Sequence, residues 1–132
     1  MKIEGNKLTN KQMRIWKSIT ADRKFSDWIR ERDKKCVRCG KTGHLQCSHF
    51  WSRVHSSTRF DPDNCDTLCY PCHYGNLDGW EYDQAGAYRD FKIKQLGQKK
   101  FNALDKKHRS FKQRHEAILE VMEFLNGDNK RK

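Results

Sequence analysis

The sequence lacks long hydrophobic runs and has a low apolar content overall. Of its 132 residues, 35% are hydrophobic and 34% are charged, and the mean hydropathy is −1.10. No segment reaches the roughly 18 to 20 consecutive apolar residues of a membrane-spanning helix, which excludes a helical membrane protein. The first residues also lack the apolar stretch of an export signal, so we expect the protein in the cytoplasm.

Acidic residues are scarce relative to basic ones. Aspartate and glutamate number 17 against 28 lysines and arginines, which gives a net charge of +11. The net charge is +6 over residues 1–35, zero over 36–80 and +5 over 81–132. A chain of this length forms one domain by default, and its basic ends favour a polyanionic partner such as nucleic acid. We therefore predict a single domain over 1–132, in which a basic helical arm and a basic helical extension flank a neutral core.

The sequence has only two prolines, and both fall in the middle segment, which leaves the basic ends free to form helices. Thr9 starts a capping-box pattern for one helix, and Ser26 is a candidate N-cap of a second, shorter one. A further helix is predicted over residues 81–96, stopped by Gly97, and another over 111–125, where apolar side chains recur with steps of three and four. We expect the aromatic residues of these helices to pack in the core.

The middle segment is punctuated by glycine and proline and cannot form long helices. Residues 45–51 are predicted as one strand of a hairpin, residues 54–63 as its loop, and residues 64–68 as the returning strand. Pro71 suits the first turn of a short helix that follows the second strand. The sequence thus predicts an α+β protein with a strand, a loop, a strand and a helix at its centre.

All six cysteines lie in this middle segment. Four of them form two Cys-x-x-Cys pairs, Cys36 with Cys39 and Cys69 with Cys72, separated by 29 residues. Two such turns can complete a tetrahedron of thiolates around Zn²⁺, and four thiolates leave no open position, so we predict a structural zinc. Residues 69–73 also match the pattern of c-type haem attachment, but that chemistry requires export.

Two cysteines, Cys47 and Cys65, lie outside these pairs. We expect them to be small buried residues that face each other across the hairpin, although either could substitute as a metal ligand.

His49, Asn64 and His73 occur in this order between and beside the cysteine pairs. The sequence here resembles the HNH endonucleases of the ββα-metal (His-Me finger) superfamily, and more narrowly the phage NinG-type recombination endonucleases. The resemblance implies a zinc-stapled, treble-clef-like ββα-metal core. It is carried by Gln-Cys-Ser-His-Phe-Trp-Ser-Arg at 46–53, by Leu-Cys-Tyr-Pro-Cys-His-Tyr-Gly-Asn-Leu at 68–77, and by residues 25–33, 59–66 and 88–97.

The resemblance also implies roles for individual residues. His49 is the expected general base, His73 a ligand of the catalytic Mg²⁺ or Mn²⁺, and Asn64 either a brace of the loop or a second ligand. Many relatives carry Asp or His immediately before the base, where this chain has Ser48. The remaining candidate ligands of the catalytic ion are Ser48, Asp61, Asp63 and Asp66, and the candidate DNA contacts are Arg53 and Arg59.

The implied function is metal-dependent hydrolysis of DNA phosphodiester bonds. We expect nicking or double-strand cleavage that leaves 5′-phosphate and 3′-hydroxyl ends. Low sequence specificity is expected because contacts to phosphate carry no base information. The resemblance further implies a phage-encoded protein that works with recombination or packaging proteins. The alternative is a zinc module that binds nucleic acid without cleaving it.

Overall fold

The computed structural model describes residues 9–75, 78–82 and 86–131. It is an α+β fold in which one two-stranded antiparallel sheet lies among six helices of the described residues. No helix of the described residues is long and apolar enough to cross a membrane. The elements are α1 Asn10–Asp33, β1 Leu45–His49, α2 Ser56–Arg59, β2 Cys65–Cys69, α3 Tyr70–Tyr74, α4 Ala87–Leu96, α5 Gln98–His108 and α6 Arg114–Arg131, with 3-10 turns at Pro62–Asn64 and Trp80–Tyr82.

Helix α1 is a single helix of 24 residues, not the two helices predicted. Its predicted capping box is confirmed, because the Thr9 hydroxyl accepts from the Gln12 N–H at 3.1 Å and the Gln12 side chain accepts from the Thr9 N–H at 2.9 Å. Ser26 does not cap a second helix. Its hydroxyl instead accepts a hydrogen bond from Arg30 one turn later, and no glycine or proline interrupts the helix around it.

The predicted hairpin is confirmed, but β1 is two residues shorter than predicted and β2 begins and ends one residue later. His49 pairs with Cys65 at the loop end of the sheet, and Leu45 pairs with Cys69 at the other end. Asn64, expected in the second strand, instead ends the 3-10 turn before it. Helix α3 follows β2 directly and packs on both strands, so the order strand, loop, strand, helix is as predicted.

The outer edge of β2 is closed by groups from the end of α1 and the turn after it. The Thr67 N–H donates to the Asp33 carboxylate at 2.9 Å, and the Thr67 carbonyl accepts from the Val37 N–H at 2.9 Å. The Arg32 guanidinium donates to the Cys65 carbonyl at 2.8 Å. All five residues of β2 are buried as a result.

Helix α4 is joined to the hairpin through a buried polar cluster. Asp66 and Lys92 form an ion pair at 3.1 Å, and both side chains are inaccessible to solvent. Asp66 also accepts hydrogen bonds from the Tyr88 hydroxyl at 3.0 Å and from the Gln95 amide at 2.9 Å, and the Tyr88 oxygen in turn accepts from the Ser48 hydroxyl at 3.1 Å. A buried charge pair is tolerated only when its hydrogen bonds are satisfied, which is the case here.

The C-terminal helices differ in extent from the prediction. Helix α4 stops before Gly97, as predicted, but it begins at Ala87 instead of residue 81. Helix α5 was not predicted, because it buries only Phe101 and Leu104 and has too short an apolar stripe to recognise. Helix α6 begins at Arg114, so Phe111 lies outside it and is 87% exposed. Residues from α1 and α6 pack with Cys65 of β2 in one core cluster: Ala21, Phe25, Ile29, Ile118, Val121 and Leu125.

Candidate functional site

The four paired cysteines converge where α1, β2 and α3 meet. The Sγ atoms of Cys36, Cys39, Cys69 and Cys72 all lie within 4.8 Å of one another, and Cys39 and Cys69 are 3.6 Å apart. Zinc–sulfur bonds of about 2.3 Å in a tetrahedron place the sulfurs about 3.8 Å apart. The spacing therefore fits the predicted ion, and the four thiols form a cluster that could bind zinc.

The surroundings of these thiols also favour a cation. Burial opposes ionisation of Cys36, but backbone N–H groups of Cys69, Cys39 and Arg38 outweigh it and lower its pKa to about 6. Burial raises the pKa of Cys72, and the neighbouring sulfurs of Cys69 and Cys39 raise it further. One thiolate is therefore stabilised by the backbone, whereas additional thiolates need a divalent cation among them.

A second feature is a groove of about 750 Å³ bounded by α1, β1 and α3. Two groups of residues line this groove. His49, His73 and Arg53 were proposed from the sequence for catalysis or DNA contact, whereas Gln46, Glu81 and Asp22 were not. The structure thus brings the two expected histidines to one surface.

His49 lies at the end of β1 with its ring held by one hydrogen bond. Its Nε2–H donates to the Arg59 carbonyl at 2.9 Å, because a carbonyl can only accept. Burial lowers the pKa of His49 to about 4, assisted by the positive charges of Arg53 and Arg59 and opposed by the hydrogen bond to the Arg59 carbonyl and by Asp22. The imidazole is therefore neutral near pH 7, with its lone pair on Nδ1.

Asn64 is fully buried, and its side chain is bonded to the backbone of the loop between the strands. Its Oδ1 accepts from the Trp51 N–H at 2.8 Å, while its Nδ2 donates to the carbonyls of Trp51 at 2.9 Å and Thr58 at 3.1 Å. These bonds close the loop that carries the Arg59 carbonyl. Of the two roles left open for Asn64, the geometry matches the brace and not the metal ligand.

His73, in α3, is held between two polar side chains. Its Nδ1 is 2.8 Å from Oε1 of Gln46, and because an amide oxygen can only accept, Nδ1 carries the proton. Its Nε2 lone pair faces the Glu81 carboxylate at 3.4 Å. Burial lowers the pKa of His73, although Glu81 opposes that shift. A neutral imidazole nitrogen beside a carboxylate is a pair of donor atoms that could hold a divalent cation.

Glu81 was not predicted as a partner of His73, because the two side chains are not brought together by helical spacing. A turn closed by Gly75 and Gly79 places Glu81 beside His73. The Gly79 N–H donates to the Gly75 carbonyl at 3.1 Å. A Cβ on Gly79 would lie 2.4 Å from the Gly75 nitrogen, and one on Gly75 would lie 2.2 Å from the Pro71 carbonyl oxygen. Only glycine permits this close return, and the two glycines were the available sequence signal.

The other predicted ligands of the catalytic ion do not line the groove. Ser48 and Asp66 belong to the buried cluster with Lys92. Asp61 pairs with Lys107 at 2.7 Å and accepts from the Asp63 N–H at 2.9 Å, which caps the 3-10 turn. The side chains of Ser48, Asp61 and Asp66 are therefore engaged within the fold, whereas Asp63 contributes its backbone N–H to the turn.

The two arginines proposed for DNA contact differ in their surroundings. Arg53 is 61% exposed at the groove, with Nη1 3.6 Å from the Asp22 carboxylate. Arg59 is 11% exposed, and its guanidinium makes a two-point ion pair with Asp22 and lies 3.4 Å from the Ser18 hydroxyl. The position of Arg59 does not support a contact with phosphate, since its donors join the loop to α1.

Comparison with known families identifies one match. A family model described as "NinG: Bacteriophage Lambda NinG protein" matches residues 2–131. No curated protein and no solved structure matches the chain.

Proposed function

This chain belongs to the phage lambda NinG family, and on that premise we propose that it is a metal-dependent DNA endonuclease whose catalytic centre is the groove of His49 and His73. The match covers nearly the whole chain, and membership of a phage family indicates a phage-encoded protein. In this proposal the hairpin and α3 are the ββα-metal core of an HNH nuclease. The cysteine cluster is its structural zinc site.

The observation that carries the proposal is the state of His49. Hydrolysis of a phosphodiester requires a base that removes a proton from water, and a neutral imidazole with a free lone pair can do so. Donation of Nε2–H to the Arg59 carbonyl leaves Nδ1 as that acceptor. The loop that supplies the carbonyl is held by Asn64, so the orientation of the base depends on a buried side chain and not on solvent.

His73 and Glu81 fit the second requirement, a site for Mg²⁺ or Mn²⁺. Their donor atoms are 3.4 Å apart, and cis ligands at about 2.1 Å in an octahedron are about 3.0 Å apart. Gln46 keeps the Nδ1 proton in place, as partners of metal-bound histidines generally do. A bound divalent cation would neutralise charge that develops on the phosphate and on the departing oxygen.

DNA is proposed as the substrate from the basic surface and the family resemblance. The net charge is +11, and Arg53 and Arg23 line the groove beside His49. Contacts from arginine to phosphate do not distinguish bases, which supports cleavage of low sequence specificity. Hydrolysis by water activated at His49 would leave a 5′-phosphate and a 3′-hydroxyl.

The alternative is a zinc-stabilised protein that binds nucleic acid without cleaving it. It accounts equally well for the cysteine cluster and the positive charge. It gives no role to a neutral histidine and a histidine–carboxylate pair in one basic groove. We therefore favour the nuclease.

Conversion of supercoiled plasmid to nicked or linear DNA, with Mg²⁺, Mn²⁺ or neither, tests the proposal. We expect cleavage only with a divalent cation, and His49→Ala should reduce the rate by about 10² to 10⁴. The matched control is His115→Ala, which removes an exposed imidazole outside the groove and should cleave normally. Zinc content is measured on every variant. If His49→Ala keeps its zinc and cuts as fast as the parent protein, the assigned base is wrong.

A further inference from the structure

The two remaining cysteines lie beside the proposed base. Cys47, His49 and Cys65 each offer a ligand atom, and these atoms lie within 4.8 Å of one another. Cys47 and His49 are two residues apart on β1 and therefore share a face of the strand, and His49 is paired with Cys65 across the sheet. These three side chains share no sulfur with the structural cluster, so they form a second candidate metal site.

The chemistry of the three ligands selects one class of ion. Two thiols and an imidazole favour soft or borderline metals such as Zn²⁺ over Mg²⁺, which prefers oxygen. Zn²⁺ with two thiolates and a neutral imidazole carries no net charge. Such a site is compatible with the complete burial of Cys65, where an unbalanced charge would be costly.

The site also differs in form from the four-cysteine cluster. Cys47 and His49 line the groove, whereas Cys65 closes the site from the interior. Three protein ligands would leave the fourth position of a tetrahedral ion open, and the groove lined by Cys47 and His49 would give solvent a path to it. An ion held in this way is accessible to solvent and can exchange.

Occupancy of this site conflicts with catalysis through His49. Its Nε2–H is donated to the Arg59 carbonyl, which leaves Nδ1 as the one ring nitrogen with a lone pair. That lone pair cannot hold a metal ion and accept a proton from water at the same time. We propose that Cys47, His49 and Cys65 form an inhibitory Zn²⁺ site that silences the nuclease, an inference whose inhibitory part rests on the function proposed above.

Metal stoichiometry tests the site without reference to activity. The purified protein, with one zinc per chain in the four-cysteine cluster, is titrated with Co²⁺ and with Zn²⁺. The parent should bind a second equivalent, with a thiolate-to-cobalt absorption band, and Cys47→Ala and Cys47→Ser should lose it. Cys47 is preferred to Cys65 because it is only partly buried. His115→Ala controls for adventitious zinc on an exposed imidazole and should keep the second equivalent.

Cleavage at fixed Mg²⁺ and rising free Zn²⁺ tests the inhibition, with each rate divided by the same protein's zinc-free rate. The parent should lose activity as the second equivalent binds, and the Cys47 variants should not. A parent protein that binds only one equivalent overturns the site, and equal zinc inhibition in the Cys47 variants overturns its inhibitory role. If the parent never cleaves DNA, the proposed function fails, but the stoichiometry still decides whether the site exists.

Discussion

At the scale of single residues, the pKa of His49 predicts an unusual pH profile. A free imidazole titrates near 6.5 and would be about 90% protonated at pH 5.5. Because burial lowers the pKa of His49 to about 4, its base form should persist well below pH 6. We expect the plasmid cleavage rate, measured at saturating Mn²⁺, to change little between pH 7.5 and 5.5 and to fall as the pH approaches 4.

The same shift has a consequence for stability, with a defined sign. Between pH 6.5 and about 4 the unfolded chain binds a proton at His49 that the folded chain excludes. The free energy of unfolding should therefore decrease as the pH falls through this window, and His49→Ala should reduce that dependence.

The cleavage measurement can contradict the assignment of His49 as the base. It does so if the cleavage rate drops tenfold between pH 7.5 and 5.5 while the protein stays folded.

Glu81 and Asp61 offer a test of which carboxylate serves the catalytic ion. Glu81→Gln should raise the Mg²⁺ concentration needed for half-maximal cleavage by about tenfold or more, because it removes a charged ligand beside His73. Asp61→Asn is the control, since Asp61 is paired with Lys107 outside the groove. If Asp61→Asn changes the Mg²⁺ concentration needed for half-maximal cleavage and Glu81→Gln does not, Asp61 and not Glu81 serves the catalytic ion.

Arg53 and Arg59 should separate DNA binding from stability. Arg53→Ala should weaken binding to DNA of any sequence and reduce the slope of log affinity against log salt concentration by about one. Arg59→Ala should instead lower the urea midpoint of unfolding, because it leaves the Asp22 carboxylate without its two-point partner. Fluorescence anisotropy at several salt concentrations measures DNA binding, and urea unfolding measures stability. The prediction is refuted if Arg53→Ala lowers the urea midpoint and Arg59→Ala weakens DNA binding instead.

At the scale of elements, the loop between β1 and β2 depends on Asn64. Asn64→Ala leaves the Trp51 N–H and two carbonyls without partners, which should reduce the free energy of unfolding by about 3 kcal/mol. Cleavage should also slow, because the Arg59 carbonyl that orients His49 lies on this loop. Asn102→Ala, on the exposed face of α5, is the control and should change the stability by less than about 0.5 kcal/mol. Equal unfolding free energies for the two variants would contradict the role of Asn64 in holding this loop.

Elements with a local signal could be predicted from the sequence, and those set by tertiary contacts could not. The Thr9 capping box, the stop at Gly97 and the hairpin depend on neighbouring residues, and all three are present. The continuity of α1 was missed because Ser26 fits an N-cap, although its hydroxyl is used within the helix. Helix α5 was missed because its two buried residues form no recognisable stripe.

The candidate site divides in the same way. The cluster of four cysteines that could bind zinc follows from spacing, since the two residues of each Cys-x-x-Cys pair are close in sequence. Glu81 and Gln46 were not recognisable, because they reach His73 through a glycine turn and through strand pairing. Asp66 was a candidate ligand because a carboxylate could replace the one absent at Ser48, yet it is paired with Lys92, which comes from a distant helix.

At the scale of the whole molecule, zinc should be required for the fold of the core. Structural zinc contributes about 10 to 16 kcal/mol in small domains, which equals or exceeds the total stability of a typical domain. A strong chelator, or Cys72→Ser, should therefore abolish the near-ultraviolet circular dichroism of Trp80, which packs in the cluster with Cys36 and Cys69. Elemental analysis should find the zinc lost in parallel. An unchanged melting temperature after removal of all zinc would contradict this requirement.

The closed outer edge of β2 has a consequence for self-association. A strand with unpaired N–H and C=O groups can add a strand from another molecule and so seed aggregates. Here the N–H and carbonyl of Thr67 and the carbonyl of Cys65 are already hydrogen-bonded, to Asp33, Val37 and Arg32 respectively. This side of the hairpin therefore offers no template to a neighbouring chain, so a high local concentration of the protein should not lead to polymerisation through that strand.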